Sequence, residues 1–123
     1  MEIPEKAKEI LKHEGVVAIA TQGKDGPHLV NTWHSYIQLT ATGNLLVPAG
    51  GMKRTEENLL KDNRIVATIG SREVTGMRGP GAGFLIKGTA KLRSARKESR
   101  GRSVRGAAVV KGHRHALVLD HNP

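Results

Sequence analysis

Two short segments of the sequence carry the side chains best suited to bind a ligand. The first is a run of six residues that can all form hydrogen bonds: Asn31, Thr32, Trp33, His34, Ser35 and Tyr36. The second is a Gly-Gly turn followed by two cations and a hydroxyl: Gly50, Gly51, Lys53, Arg54 and Thr55. Together they supply hydroxyls, aromatic rings and an anion site, which are the groups that a planar, phosphorylated ligand needs.

The Gly-Gly segment has the chemistry of a phosphate site. Gly50 and Gly51 allow a ligand to approach the backbone closely, and Arg54 can form a two-pronged contact with phosphate oxygens. Thr55 is the predicted N-cap of a helix, where free N–H groups and the helix dipole favour an anion. A Gly-Gly turn before a helix is more often only a turn, so this segment alone does not predict a site.

Residues 31–36 strengthen the interpretation because they depart from ordinary strand patterning. A half-buried strand alternates apolar and polar residues, whereas here polar groups would occupy both faces. Buried polar groups need hydrogen-bond partners, and a ligand could supply them. The alternative is an exposed edge strand with Trp33 packed on the core. His34 and Ser35 do not form a catalytic pair, since adjacent strand residues point to opposite faces, and no catalytic residue is predicted.

The elements that would position these residues are mostly strands. β-Branched and apolar runs bounded by Gly, Pro and Asn predict strands, and the helical spacing of Ala7, Ile10 and Leu11 predicts an N-terminal helix. Helices are predicted at 4–13 and 55–62. Strands are predicted at 16–21, 28–39, 45–47, 65–70, 84–92 and 116–119, with a loop at 71–83. This pattern is typical of a mainly β fold, a small antiparallel barrel with flanking short helices.

Length and composition restrict the classes of protein. The 123 residues suit one domain, and with only three aromatic residues the core must be aliphatic. The absence of cysteine excludes disulfides, iron–sulfur clusters and a cysteine nucleophile, and it fits a cytoplasmic protein. No apolar run is long enough to cross a membrane, and the charged N-terminus is not expected to be a signal peptide.

Positive charge is concentrated towards the C-terminus. Residues 1–90 carry a net charge of +2, whereas residues 91–123 carry +7. We therefore divide the chain into a body, 1–92, and a basic divergent segment, 93–123, which could end in the last barrel strand. This segment could bind nucleic acid, but it has no aromatic residue for base stacking. A metal could also be bound in this segment by Asp120 and three histidines, His113, His115 and His121. The favoured interpretation is that these histidines are exposed and bind no metal.

Three segments resemble the FMN-binding split-barrel flavoproteins of the pyridoxamine-phosphate-oxidase-like superfamily. They are GVVAIATQGKDGPHLVNTWHSY, VPAGGMKRTEENL and GPGAGFLIKGTA, and the resemblance covers roughly residues 10–90. It implies a six-stranded antiparallel split β-barrel, a homodimer, and one FMN per subunit near the subunit interface. It also implies electron transfer or a small flavin oxidoreductase activity, with an unidentified redox partner.

The resemblance implies a cofactor-binding set: Glu14, Asn31, Thr32, Trp33, His34, Ser35, Tyr36, Val47, Pro48, Gly50, Gly51, Lys53, Arg54 and Thr55. Within it, Arg54 and Thr55 would hold the phosphate, and Arg54 stands where the family has a Lys, so the charge is preserved. Trp33 and Tyr36 would lie close to the isoalloxazine ring, and Glu14 matches an acidic residue near that ring. His34 stands where the family has Asn, and it receives no specific role.

Overall fold

Two helices and seven strands make up the part of the chain that the structure, a computed structural model, describes, namely residues 3–94 and 115–122. The helices are α1 (Glu5–Leu11) and α2 (Lys53–Lys61). The strands are β1 (Val16–Gly23), β2 (Gly26–Trp33), β3 (Gln38–Leu39), β4 (Leu45–Pro48), β5 (Arg64–Gly76), β6 (Gly79–Ser94) and β7 (His115–Asn122). All neighbouring strands are antiparallel, in the order β2-β1-β5-β6-β7-β4-β3. The predicted fold class, a mainly β antiparallel split barrel with short helices, is confirmed.

The second predicted strand, 28–39, is broken in the structure, and this break adds the seventh strand. β2 ends at Trp33, a 3₁₀ turn occupies His34–Tyr36, and β3 is only two residues long. The ladder stops because the N–H of Ser35 donates to the Glu14 carboxylate, and a carboxylate outside the sheet cannot continue strand pairing. A contact between residues 21 positions apart in the sequence therefore ends the strand.

The predicted loop at 71–83 is wrong, because β5 and β6 continue through it as a long hairpin. Gly76 pairs with Gly79, so that the connection consists of Met77 and Arg78 alone. Gly79 and Gly81 have φ values of +122° and +102°, which L side chains rarely adopt. A Cβ at Gly76 would lie 2.1 Å from the carbonyl oxygen of Gly81. The glycines that indicated a loop are thus the residues that allow the two strands to pair here.

α2 begins two residues before the predicted start at Thr55. Met52 is the N-cap, and the N–H of Glu56 donates to its carbonyl oxygen at 3.0 Å. Thr55 is therefore the third residue of the helix and not its N-cap, and its side chain faces the protein interior with no exposed surface. The early start places Lys53 and Arg54 in the first helical turn, where cations lie against the positive end of the helix dipole.

The core is aliphatic, as the composition predicts. Fully buried side chains come from α1 and from four of the strands, β1, β4, β5 and β7. They include Ile10, Ile19, Val47, Ile65 and Leu119. Trp33 and Tyr36 remain about half exposed, at 48% and 51%. Two of the three aromatic residues are therefore available at the surface, at the end of β2.

The last predicted strand, 116–119, is present as β7, which pairs with β6 on one side and β4 on the other. The basic residues 95–114, with His113, lie outside the described residues. Among the residues that are described, no three His, Cys, Asp or Glu side chains are grouped to hold a metal ion. No helix in that same part of the chain has the length and apolar character needed to span a membrane.

Candidate functional site

Glu14 and Ser35, two members of the predicted set that are far apart in sequence, are in direct contact. The hydroxyl of Ser35 donates to Oε2 of Glu14 at 2.6 Å, and the N–H of Ser35 donates to Oε1 at 3.1 Å. The N–H of Gly15 also donates to Oε1, at 3.1 Å. These hydrogen bonds, the one from the Ser35 hydroxyl above all, lower the pKa of the Glu14 carboxyl. An ionised carboxylate is thereby fixed at the exposed end of β2.

His34 points into the protein and is only 2% exposed. Its Nδ1 lies 2.6 Å from the carbonyl oxygen of His13, which can only accept, so Nδ1 is assigned the proton. Its Nε2 then accepts from the N–H of Gly70 at 3.4 Å. Both ring nitrogens are thus engaged with the backbone, and the structure places this side chain behind the site rather than on its surface.

The pleat of β2 separates the remaining residues of the first segment. Thr32 is buried opposite Val17, whereas Asn31 and Trp33 are exposed and lie on the other face of the strand. Tyr36, at the end of the 3₁₀ turn, is also exposed. The surface at this corner therefore offers Asn31, Trp33 and Tyr36 together with the Glu14–Ser35 pair.

The second segment forms a turn that leads from β4 into α2. The side chain of Val47 is 2% exposed and Pro48 is buried, so both residues belong to the wall beneath the turn. Gly50 and Gly51 are exposed. Gly51 has a φ of +83°, and no atom lies within 4 Å of the position that its Cβ would take. The backbone of this turn is therefore open to a ligand.

Thr55 carries the most informative atom of the second segment. Its Oγ1 is buried and has no hydrogen-bond partner among the described residues. Leaving a buried hydroxyl unpaired costs about 1–3 kcal/mol, so such groups are rare without a ligand or water. The exposed side chains of Lys53 and Arg54 lie in the same helical turn. An unpaired hydroxyl in the helical turn that also carries two cations has the chemistry to bind a phosphate oxygen.

α2 packs against β1 and β2 near the turn that joins them. The amide of Asn58, which is 6% exposed, donates to Oγ1 of Thr21 at 3.0 Å and fixes the helix to β1. A groove of about 400 Å³ lies between this helix and the β1–β2 turn, with Arg54 and Asn58 in its lining. Sequence reasoning missed Asn58, although a polar residue three positions after Thr55, on the same helix face, was an available signal.

Comparison with known proteins gives a consistent result. The family described as pyridoxamine 5′-phosphate oxidase matches residues 3–119. An FMN-binding protein from Nitratidesulfovibrio vulgaris strain Miyazaki F is 51% identical over 111 residues, which cover 90% of this chain and 87% of the relative. The resemblance predicted from the three sequence segments is confirmed.

Solved structures agree on the fold. HupZ from Group A Streptococcus superposes with a TM-score of 0.67 at 16% identity, covering 98% of this chain and 90% of that protein. General Stress Protein 26 from Bacillus anthracis strain Sterne gives a TM-score of 0.59 at 12% identity, with coverage of 95% and 87%. On the family match and the 51% identity to a relative across most of its length, this chain belongs to the pyridoxamine 5′-phosphate oxidase family.

Proposed function

We propose that this protein is an FMN-binding flavoprotein that acts in electron transfer or as a small flavin oxidoreductase. The observation that carries the proposal is the buried, unpaired hydroxyl of Thr55 beside Lys53 and Arg54. A phosphate oxygen would pair that hydroxyl, and the two cations would balance the phosphate charge. The relative of 51% identity is named an FMN-binding protein, which supports the same ligand here.

The residues would divide the cofactor between them. Arg54 and Thr55, with Lys53, would hold the phosphate below the open turn at Gly50 and Gly51. Ser35 and Asn31 would contact the ribityl chain or the phosphate from the exposed face, with the buried Thr32 behind them, and Val47 and Pro48 would form the wall behind the cofactor. Trp33 and Tyr36 would flank the ring system, and the Glu14 carboxylate would place a negative charge near it. His34 would act from the interior and not as a ligand.

Bound FMN would supply one- and two-electron redox chemistry. The protein would bind it, orient it and set its electrostatic surroundings. The half-exposed ring of Tyr36 suits a redox carrier, because an external partner could come close to the ring system there. An enzyme that acts on a small molecule is the other form of the proposal. The cytoplasmic location predicted from the cysteine-free sequence stays a prediction.

The direct test is reconstitution. Purified protein is incubated with excess FMN, freed of unbound ligand by gel filtration, and its visible absorption and released flavin are measured. We expect about one FMN per chain, and riboflavin, which lacks the phosphate, should bind at least about tenfold more weakly. A protein that stays colourless after this treatment would contradict the proposal. Equal affinity for FMN and riboflavin would leave flavin binding intact but rule out the phosphate site.

The electron-transfer form is tested on the reconstituted protein. The flavin is reduced chemically under argon and mixed with a one-electron acceptor such as ferricyanide. We expect reoxidation within the mixing time, without any added organic substrate. If the flavin reoxidises only when an organic substrate is supplied, the small-molecule oxidoreductase form is correct instead.

Substitution of Trp33 tests the orientation of the ring system. We expect Trp33→Ala to raise the fluorescence of the bound flavin several-fold, because an indole that stacks on the ring quenches its emission. Met77→Ala is the control, since Met77 is fully exposed at the tip of the β5–β6 hairpin. Bound-flavin emission that is the same in the wild type and in Trp33→Ala would place the ring system away from this residue.

The outer sheet face, which we define as the exposed apolar residues Val16, Leu29, Trp33, Val66 and Leu85, supports a homodimer. The strand register aligns Leu29 with Ala20, and Ala20 in turn with Val66, across three neighbouring strands. Exposed apolar side chains on neighbouring strands of one sheet face are typical of an interaction site, and a short chain with an aliphatic core gains most by covering them. We propose that a second copy of the chain covers this face. Trp33 would then lie at the edge of the subunit interface.

A charged residue in the outer sheet face should separate the subunits. We expect Leu85→Glu to weaken the dimer by at least about 100-fold, since each subunit would bury an unpaired carboxylate. Molar mass is measured by light scattering during size-exclusion chromatography. Leu60→Glu is the matched control, because Leu60 is 82% exposed on α2 and outside this face. A wild-type monomer, or a Leu85→Glu variant that stays dimeric, would argue against this interface.

A further inference from the structure

His34 stands in an unusual environment for a residue from the predicted ligand set. It is almost fully buried, and Gly15 makes room for its ring. A Cβ on Gly15 would lie 2.7 Å from Cε1 of His34 and 2.6 Å from the carbonyl oxygen of Gly70. Contacts under 3.0 Å are essentially never formed by real Cβ atoms, so a side chain at position 15 would force the ring or the Gly70 backbone to shift. The fold therefore contains a fitted slot for this imidazole.

The ring of His34 joins three separate elements. Nδ1 contacts the carbonyl oxygen of His13, just after α1, while Nε2 faces the N–H of Gly70 in β5. The backbone N–H of His34 donates to the carbonyl oxygen of Gly15 at 2.9 Å. Glu14 lies between His13 and Gly15, so the residues on both sides of Glu14 are held by His34.

The same network of hydrogen bonds extends to the exposed surface. Ser35 follows His34 directly, and its N–H and hydroxyl both donate to the Glu14 carboxylate. Two short segments, 13–15 and 33–35, are thus joined by four hydrogen bonds, two of them inside through His34 and two at the surface through Ser35. The orientation of the Glu14–Ser35 pair therefore depends on where the imidazole anchors the two segments.

We propose that His34 is a positioning residue that acts through its Nδ1–H bond to His13 to hold the Glu14 carboxylate and the Ser35 hydroxyl in the orientation used by the flavin site. This inference rests on the proposed function for its last step. The hydrogen bonds themselves belong to this chain alone, and they can be tested without any flavin.

The side chains that replace His34 can separate its two contacts. The amide nitrogen of Asn occupies nearly the position of Nδ1, so His34→Asn keeps a donor for His13 but loses the acceptor for Gly70. Gln reaches further and can accept from Gly70, but it places no donor at His13. Leu has neither group. His28→Leu is the matched control, because His28 is a half-buried histidine on β2, the strand that leads into the turn of His34.

The first readout uses protein without flavin. In His34→Leu and His34→Gln we expect the Glu14 carboxyl, followed by carbon-13 NMR, to titrate at a higher pH than in the wild type. Amide exchange at Ser35 should become at least about tenfold faster in the same two variants. His34→Asn and His28→Leu should resemble the wild type in both measurements. Should His34→Leu fail to fold, His34→Gln, which keeps the Gly70 contact, decides the comparison with His34→Asn.

The second readout is FMN affinity. We expect about tenfold weaker binding in His34→Gln and wild-type affinity in His34→Asn. If His34→Leu and His34→Gln only lower the stability, with Glu14 titration and Ser35 exchange unchanged, the inference is overturned. It is also overturned if these two variants lose the Glu14–Ser35 pair but bind FMN as the wild type does. A wild-type protein that binds no FMN would refute the proposed function, and the flavin-free measurements would then still decide the role of His34 in holding the pair.

Discussion

Arg54→Ala is expected to weaken FMN binding by about 1.5–3 kcal/mol, which corresponds to a dissociation constant roughly 10- to 150-fold higher. Arg54 lies in the first turn of α2 and its side chain is 65% exposed. Its nearest carboxylate belongs to Glu57, at 3.9 Å, a distance at which an exposed ion pair contributes little. The guanidinium is therefore free to turn towards a phosphate and to form two charged hydrogen bonds with it. The affinity is measured by titration with protein fluorescence or calorimetry.

Two comparisons make this result specific to the phosphate. Riboflavin affinity should be the same in Arg54→Ala and in the wild type, because riboflavin has no phosphate to lose. Arg64→Ala is the matched control, since the Arg64 guanidinium is also exposed but is paired with Asp62 at 2.6 Å. FMN affinity in Arg54→Ala that equals the wild-type value would remove Arg54 from the site. A similar loss in Arg64→Ala would point to a general effect of net charge.

The regular strands and their tight turns could be predicted, because residues close together in the sequence determine them. The β1–β2 hairpin is an example: apolar, β-branched residues flank a two-residue turn, Lys24-Asp25, between paired glycines. The aliphatic core follows in the same way from a composition with three aromatic residues. Such features need no information about contacts between distant residues.

The errors arose where distant contacts override local patterns. Glycines at 76, 79, 81 and 83 indicated a loop, yet Gly76, Gly79 and Gly83 pair within the β5–β6 hairpin, and Gly81 lies at the register shift between its two paired parts. Gly79 and Gly81 have φ values that only glycine tolerates easily. The break after Trp33 depends on Glu14, which no local pattern connects to Ser35. The start of α2 at Lys53 depends on the backbone of Met52, whereas the side chain of Thr55 gave the better N-cap signal.

The candidate site was predicted as a set of residues, and in the structure some of these residues are buried while others are exposed. Residues 31–36 adjoin in sequence, but the pleat and the 3₁₀ turn bury Thr32 and His34 while exposing Trp33 and Tyr36. The resemblance to a family supplied residue identities, not the direction in which this chain's own histidine points. Asn58, which anchors α2 to β1 beneath the predicted phosphate group, is found only when the two elements are seen packed together.

Thr55→Val is expected to have opposite effects on the free and on the FMN-bound protein. Without flavin, the substitution replaces a buried hydroxyl that has no partner among the described residues with a methyl group of similar size. The free energy of unfolding should therefore rise by about 1 kcal/mol. FMN binding should weaken by about 1.5–3 kcal/mol, because a hydrogen bond to a charged phosphate is lost. Urea unfolding of the flavin-free protein and FMN titration measure the two effects separately.

The opposite signs distinguish a ligand-binding residue from an ordinary core residue. If the Thr55 hydroxyl had a purely structural role, Thr55→Val would lower the free energy of unfolding of the flavin-free protein. The FMN affinity of the variant would then change only through this general destabilisation. Thr55→Ser is the control, since it keeps the hydroxyl while removing the methyl group, and it should retain most of the FMN affinity at the cost of some packing. If Thr55→Val destabilises the flavin-free protein and binds FMN normally, the phosphate does not lie against this hydroxyl. If Thr55→Val stabilises the flavin-free protein and binds FMN more weakly, the hydroxyl is unpaired without FMN and is paired by the phosphate when FMN binds.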